Sequence, residues 1–95
     1  MKCIRILIKG KVQGVFYRAS AKDVALVSDI KGWIKNKKDG DVEAFACGTE
    51  EALNEFVEWC KKGPAHAEVK EIEVSDFPEP EEPLDGFHVV KDDWR

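Results

Sequence analysis

Gly10-Lys11-Val12-Gln13-Gly14-Val15-Phe16-Tyr17-Arg18 joins an apolar, strand-like run to a helix-like one, and the fold of the chain follows from that junction. Two glycines let the backbone bend so that successive N–H groups converge on one point, a nest suited to an oxyanion. The first N–H groups of the following helix lack internal partners, and the helix dipole adds partial positive charge there. An arginine at that end works against the dipole unless an anion sits between the two. With an anion present, its planar fork matches phosphate or carboxylate oxygens bidentately. The stretch reads as a small phosphate cradle of backbone amides plus one guanidinium. A bare Gly-x-x-x-Gly would more often be a plain turn with a solvated arginine.

Working outward, Lys2 to Lys9 sets Ile4, Ile6 and Ile8 on one face and Cys3 and Leu7 on the other, the pattern of a central strand. Arg18 to about Val27 is expected as a helix with Ala21, Val24 and Ala25 on its buried side, ending at Ser28-Asp29. Lys31 to Asn36 is a short strand, and the Asp39-Gly40 pair after it predicts a hairpin into a third strand, Asp41 to about Cys47. Thr49 is the expected N-cap of a second helix, with Ala52, Leu53, Phe56, Val57 and Cys60 as its apolar stripe and Gly63-Pro64 as its stop. A fourth strand, Ala67 to Val74, changes phase between Val69 and Ile72, which predicts a bulge. Asp76 to Asp85 is expected as a loop, Phe87 to Val90 as a short last strand, and Lys91 to Arg95 as a polar tail with Trp94.

This order predicts an α+β, ferredoxin-like βαββαβ sandwich: two helices on one face of an antiparallel sheet, with a short extra C-terminal strand. One domain spans residues 1–95. Strands one and two then run parallel with strand three between them, and their C-terminal ends lie about 10 Å apart on one edge. Arg18 and Asn36 fall at those two ends, close enough to address one small ligand.

The run G-K-V-Q-G-V-F-Y-R resembles the acylphosphatase motif G-x-V-Q-G-V-x-F-R, with Tyr17 where that pattern has Phe. Gly32-Trp33-Ile34-Lys35-Asn36 and Asp39-Gly40-Asp41-Val42-Glu43 are similar to the family's second motif, G-W-V-x-N-x-x-D-G-x-V-E. Asp29 stands where the family often has glycine. The resemblance covers nearly the whole chain. It implies hydrolysis of the carboxyl–phosphate bond of small acyl phosphates without metal or cofactor. Carried over position by position, Arg18 and the amides of Gln13, Gly14, Val15, Phe16 and Tyr17 bind phosphate, and Asn36 places the attacking water. The chemistry agrees, because a neutral amide orients a water but cannot act as a general base near pH 7. Without its neighbours Asn36 would read as a turn residue.

Composition narrows the alternatives. The net charge of −4 disfavours a nucleic-acid surface, although Lys9, Lys11, Arg18, Lys35, Lys37 and Lys38 gather around the two motifs and can steer a small anion. No run has the length of a membrane span, and the N-terminus lacks a leader's long apolar core. Cys3, Cys47 and Cys60 form no C-x-x-C pair, so three buried free thiols, no zinc and a reducing cytoplasm are expected. His66 and His88 are isolated, and Trp33 and Trp59 are expected to pack. A monomer is the default.

Three rival readings remain. An RNA-recognition module shares the element order, but the first strand here has no aromatic residue to stack a base. A ferredoxin-like metal carrier would want cysteines in the first loop. A non-catalytic domain that senses a small phosphorylated ligand would use the same cradle, and only turnover separates it from an enzyme.

Overall fold

The structure, a computed structural model, describes residues 1–92; Trp94 and the rest of 93–95 lie outside the described residues. Seven elements follow in order: β1 (Lys2–Lys11), α1 (Tyr17–Val27), β2 (Lys31–Asn36), β3 (Val42–Gly48), α2 (Glu50–Lys62), β4 (Glu68–Phe77) and β5 (Phe87–Val89). The sheet order is β4-β1-β3-β2-β5. β3 therefore lies between β1 and β2 and runs antiparallel to both, as the sequence predicts. β5 pairs with β2 in parallel, which makes the five-stranded sheet mixed rather than purely antiparallel.

The two faces of β1 separate two apolar clusters. Ile4, Ile6 and Ile8 turn toward the helices, where they are buried with Ala21, Ala25, Leu53 and Phe56. On the other face Cys3, Phe45 and Cys47 form a smaller cluster with Trp33 and Leu84 against it. Alternation along the strand alone produces this division. Gly32 is required by close approach: it has φ 146°, and a Cβ there would stand 1.8 Å from the Phe45 carbonyl oxygen.

The helix ends follow their local chemistry. Thr49 caps α2, its Oγ1 accepting a hydrogen bond from the Ala52 N–H at 3.1 Å. Glu50 and Glu51 lie in the first turn, Lys61 and Lys62 in the last, each matched to the dipole. α1 closes through Asp29, which takes φ 55° while the Ile30 N–H donates to the Ala25 carbonyl at 2.9 Å. In β4 the pairing with β1 steps from Glu71 to Val69, so Lys70 is the extra residue of a bulge. That bulge lets both Val69 and Ile72 reach the core.

Two expectations are corrected. β4 runs on to Phe77, into the stretch read as loop, because β1 offers it a pairing edge as far as Cys3. The cysteines are not three free thiols: Cys3 and Cys47 form a disulfide, and only Cys60 is free. Antiparallel register sets Cys3 directly opposite Cys47 with Cα atoms 4.1 Å apart. A count and spacing of cysteines carries no information about that register.

Candidate active site

β1 ends on Lys11, and the chain reaches α1 through residues 12–16, closing over the C-terminal edge of the sheet. Val12 and Val15 are buried and pin this loop to the core. Between them and the helix the backbone alternates: Gly14 has φ 74° and Phe16 φ 62°, while the residues on either side keep negative φ. Alternation of left- and right-handed residues turns successive N–H groups toward one centre, the geometry of an anion nest. Glycine takes that conformation freely. Phe16 does not, and a large aromatic residue at positive φ is a strained position of the kind found where a loop is shaped for binding. Phe16 is 79 % exposed, so burial does not compensate the strain.

Tyr17 holds the loop from below. Its side chain is buried, its hydroxyl donates to the Cys60 carbonyl at 2.6 Å, and its ring lies 5.3 Å from that of Trp59. Burial chiefly, with the adjacent Cys60, pushes the phenol well above its ordinary range, so it stays protonated. The hydroxyl that separates this chain from the family pattern thus has a partner of its own.

Gln13 ties the loop to the second motif. Its Nε2 donates to the Lys37 carbonyl at 2.7 Å and to the Asp41 carbonyl at 2.8 Å. Those carbonyls belong to the β2–β3 hairpin, which is closed by Lys37 N–H on Asp41 O at 2.8 Å. One side chain thereby fixes the spacing between cradle and hairpin. The sequence reading gave Gln13 an amide in the cradle; its side-chain clamp emerges only from the fold.

Arg18 lies in the first turn of α1 and Asn36 is the last residue of β2. The fold brings them to one carboxylate. Arg18 Nη1 donates to Asp92 Oδ1 at 3.2 Å, and Asn36 Nδ2 donates to Asp92 Oδ2 at 3.3 Å. Arg18 Nη1 also donates to the Val90 carbonyl at 3.1 Å. Asn36 is only 7 % exposed, and its Oδ1 is buried with no donor among the described residues. Asp92 has no sequence signal; it sits in a polar tail whose path depends on β5.

Two clefts open here. One, of about 290 Å³, is lined by Gly14, Phe16, Tyr17, Arg18, Ala19 and Val89. The other, of about 410 Å³, starts at Asn36 and is walled by Lys35, Lys37, Lys38 and Lys91 against Asp39 and Glu43. Of the expected lysines, Lys35, Lys37 and Lys38 thus line the site, while Lys9 turns away to pair with Glu73 at 2.9 Å. Trp33 lies on the open sheet face beside Phe45 and Trp59 packs on Tyr17, both structural as read. His88 lies against the Asp85 carbonyl, apart from these groups.

A family model described as Acylphosphatase matches residues 4–89. The chain belongs to the acylphosphatase family. It is 45 % identical over 84 residues to an acylphosphatase of Haloquadratum walsbyi, covering 88 % of each chain. It is 54 % identical over 67 residues to an acylphosphatase of Legionella pneumophila strain Lens, covering 70 % of this chain and 74 % of the relative. Among solved structures, an acylphosphatase from Bacillus subtilis superposes with a TM-score of 0.91 at 37 % identity, covering 96 % of this chain and all of that one. The ferredoxin-like architecture is therefore that of acylphosphatases.

Proposed function

We propose that this acylphosphatase hydrolyses small acyl phosphates to a carboxylate and inorganic phosphate, with Arg18 and the loop amides binding the phosphoryl group and Asn36 placing the water. One observation carries the assignment: the two side chains, from different motifs, converge on a single carboxylate at 3.2 and 3.3 Å. A group of the same sign of charge and with the same kind of acceptor oxygens stands where a phosphoryl group would be held. The Asn36 amide, which lines the cleft and places its Nδ2 on the carboxylate, supplies the hydrogen-bonding group that a water needs for alignment. The water oxygen attacks phosphorus as the bond to the acyl oxygen breaks; the electron pair leaves on the carboxylate, and the water's proton passes to a phosphoryl oxygen. Charge developing on phosphate meets fixed amides and a guanidinium, which need no reorganisation. A carboxylate is a good leaving group, so the step calls for neither a strong general acid nor a metal.

The test is hydrolysis of benzoyl phosphate and acetyl phosphate by chelator-treated protein. Arg18→Ala and Asn36→Ala should each lose at least ~10²-fold in kcat/KM, the cost of one preorganised donor or of lost alignment. Phosphate binding should weaken mainly in Arg18→Ala. A folded protein that binds phosphate without turnover would instead be a sensor domain. A monomer acting in the cytoplasm belongs to the same reading. No described helix is long and apolar enough to cross a membrane. The free thiol of Cys60 agrees with a reducing compartment and the Cys3–Cys47 bond does not, so thiol titration of protein isolated under alkylating conditions decides it.

A further inference from the structure

We propose that Asp92 is an intramolecular ligand of the anion site, and that a phosphoryl group binds by displacing its carboxylate. The inference rests on the assignment of Arg18 and Asn36 above. Asp92 places one oxygen on each of them, Oδ1 on Arg18 at 3.2 Å and Oδ2 on Asn36 at 3.3 Å. These are the donors that the reaction requires for phosphate and water. A carboxylate and a phosphoryl group are both anions with acceptor oxygens only, so the two cannot share the same N–H groups. Because a carboxylate can only accept, its presence also turns the Asn36 amide so that NH2 faces the tail and Oδ1 faces inward.

The tail is built so that this carboxylate can leave. The chain is anchored as far as Val90, whose N–H donates to the Ile34 carbonyl at 2.9 Å and continues the β5 pairing. The Val90 carbonyl holds Arg18 independently of Asp92. Asp92 lies two residues past that anchor, with its side chain 37 % exposed and that of Arg18 26 % exposed. Its departure breaks no sheet pairing. A partly solvated pair of this kind favours the closed tail only modestly. Phosphate therefore wins the competition by adding the loop amides, which Asp92 does not touch among its described hydrogen bonds. The apparent affinity equals the intrinsic affinity multiplied by the open fraction.

The experiment compares wild type, Asp92→Asn and Asp92→Ala as full chains. Inorganic phosphate is titrated calorimetrically, and benzoyl phosphate hydrolysis is measured in the same buffer. Removing the carboxylate should tighten phosphate binding and lower KM together, by about two- to fivefold for a pair of this exposure. The Asn36 side-chain amide signals in the NMR spectrum of ligand-free wild type should move on adding phosphate and on substituting Asp92. Phosphate affinity that is indifferent to residue 92 would overturn the proposal while leaving the enzyme reading intact. Weaker binding with lower kcat would overturn it in favour of a positioning role. Tighter binding with unmoved Asn36 signals would reduce it to general charge repulsion, which also overturns it. Failure of all three proteins to bind phosphate or turn over would sink the assignment of the site itself.

Discussion

Tyr17 and Asp29 show how far a single residue can depart from a family pattern and be absorbed. The Tyr17 hydroxyl donates to Cys60 O, so the added polar atom is satisfied in the core. Burial raises the Tyr17 phenol above its ordinary 10.0 and the Cys60 thiol from 9.0 to about 12. Both groups are acids held neutral in the folded state, and both release protons at lower pH once unfolded. Their contribution to stability is complete below pH 9 and is lost as pH rises from there through the folded values, by up to about 1.4 kcal/mol per pH unit for each group. Urea denaturation at pH 8 and pH 11 checks this: Tyr17→Phe should cost about 1 kcal/mol at pH 8 and flatten the alkaline fall. Asp29 holds φ 55° at the end of α1, where glycine meets no Cβ penalty. Asp29→Gly should therefore raise stability by roughly 0.5–1 kcal/mol, read as a higher thermal midpoint with unchanged kcat/KM.

At the scale of elements, the site is a joint between two connections, the β1–α1 loop and the β2–β3 hairpin. Backbone pairing fixes where each begins, because β1 and β2 flank β3 and run the same way. Only Gln13 bridges them by side chain among the described hydrogen bonds, through the carbonyls of Lys37 and Asp41. Gln13→Ala removes both bonds, while each carbonyl keeps one backbone donor, Gly40 N–H on Lys37 O and Lys37 N–H on Asp41 O. It should cost about 1–3 kcal/mol in stability and raise KM and the phosphate Kd severalfold. A variant that loses stability but keeps both constants would show that the clamp serves the hairpin alone. The open sheet face contrasts with this joint. Trp33, Phe45 and Phe77 cover it, with rings 5.5–6.1 Å apart, and the disulfide joins the far ends of β1 and β3.

For the whole molecule, the disulfide and the active site occupy opposite ends of the sheet: Cys3 is the second residue of β1, whereas the cradle follows the strand's end. Closing a loop with a sequence separation of 44 residues should contribute about 4 kcal/mol by restricting the unfolded chain. Reduction, or Cys3→Ala, should lower the thermal midpoint clearly while leaving kcat/KM at 25 °C within about twofold, since the core and the cradle do not depend on it. Equal midpoints with and without reductant would show that the bond adds nothing.

The sequence by itself determined the element order, the alternation that groups Ile4, Ile6 and Ile8 on one face of β1, and the caps at Thr49 and Gly63. It also marked Arg18 and Asn36 as a pair. These rest on periodicity, turn chemistry and short motifs, all of which act between near neighbours. Only the tertiary structure decided the Cys3–Cys47 bond, the parallel pairing of β5, the Gln13 clamp and the seat of Asp92 between Arg18 and Asn36. Each is a meeting of residues distant in the chain, set by strand register and by the path of a tail. Neither register nor path is written in any local stretch; both follow only when the core closes and every strand has chosen its neighbour.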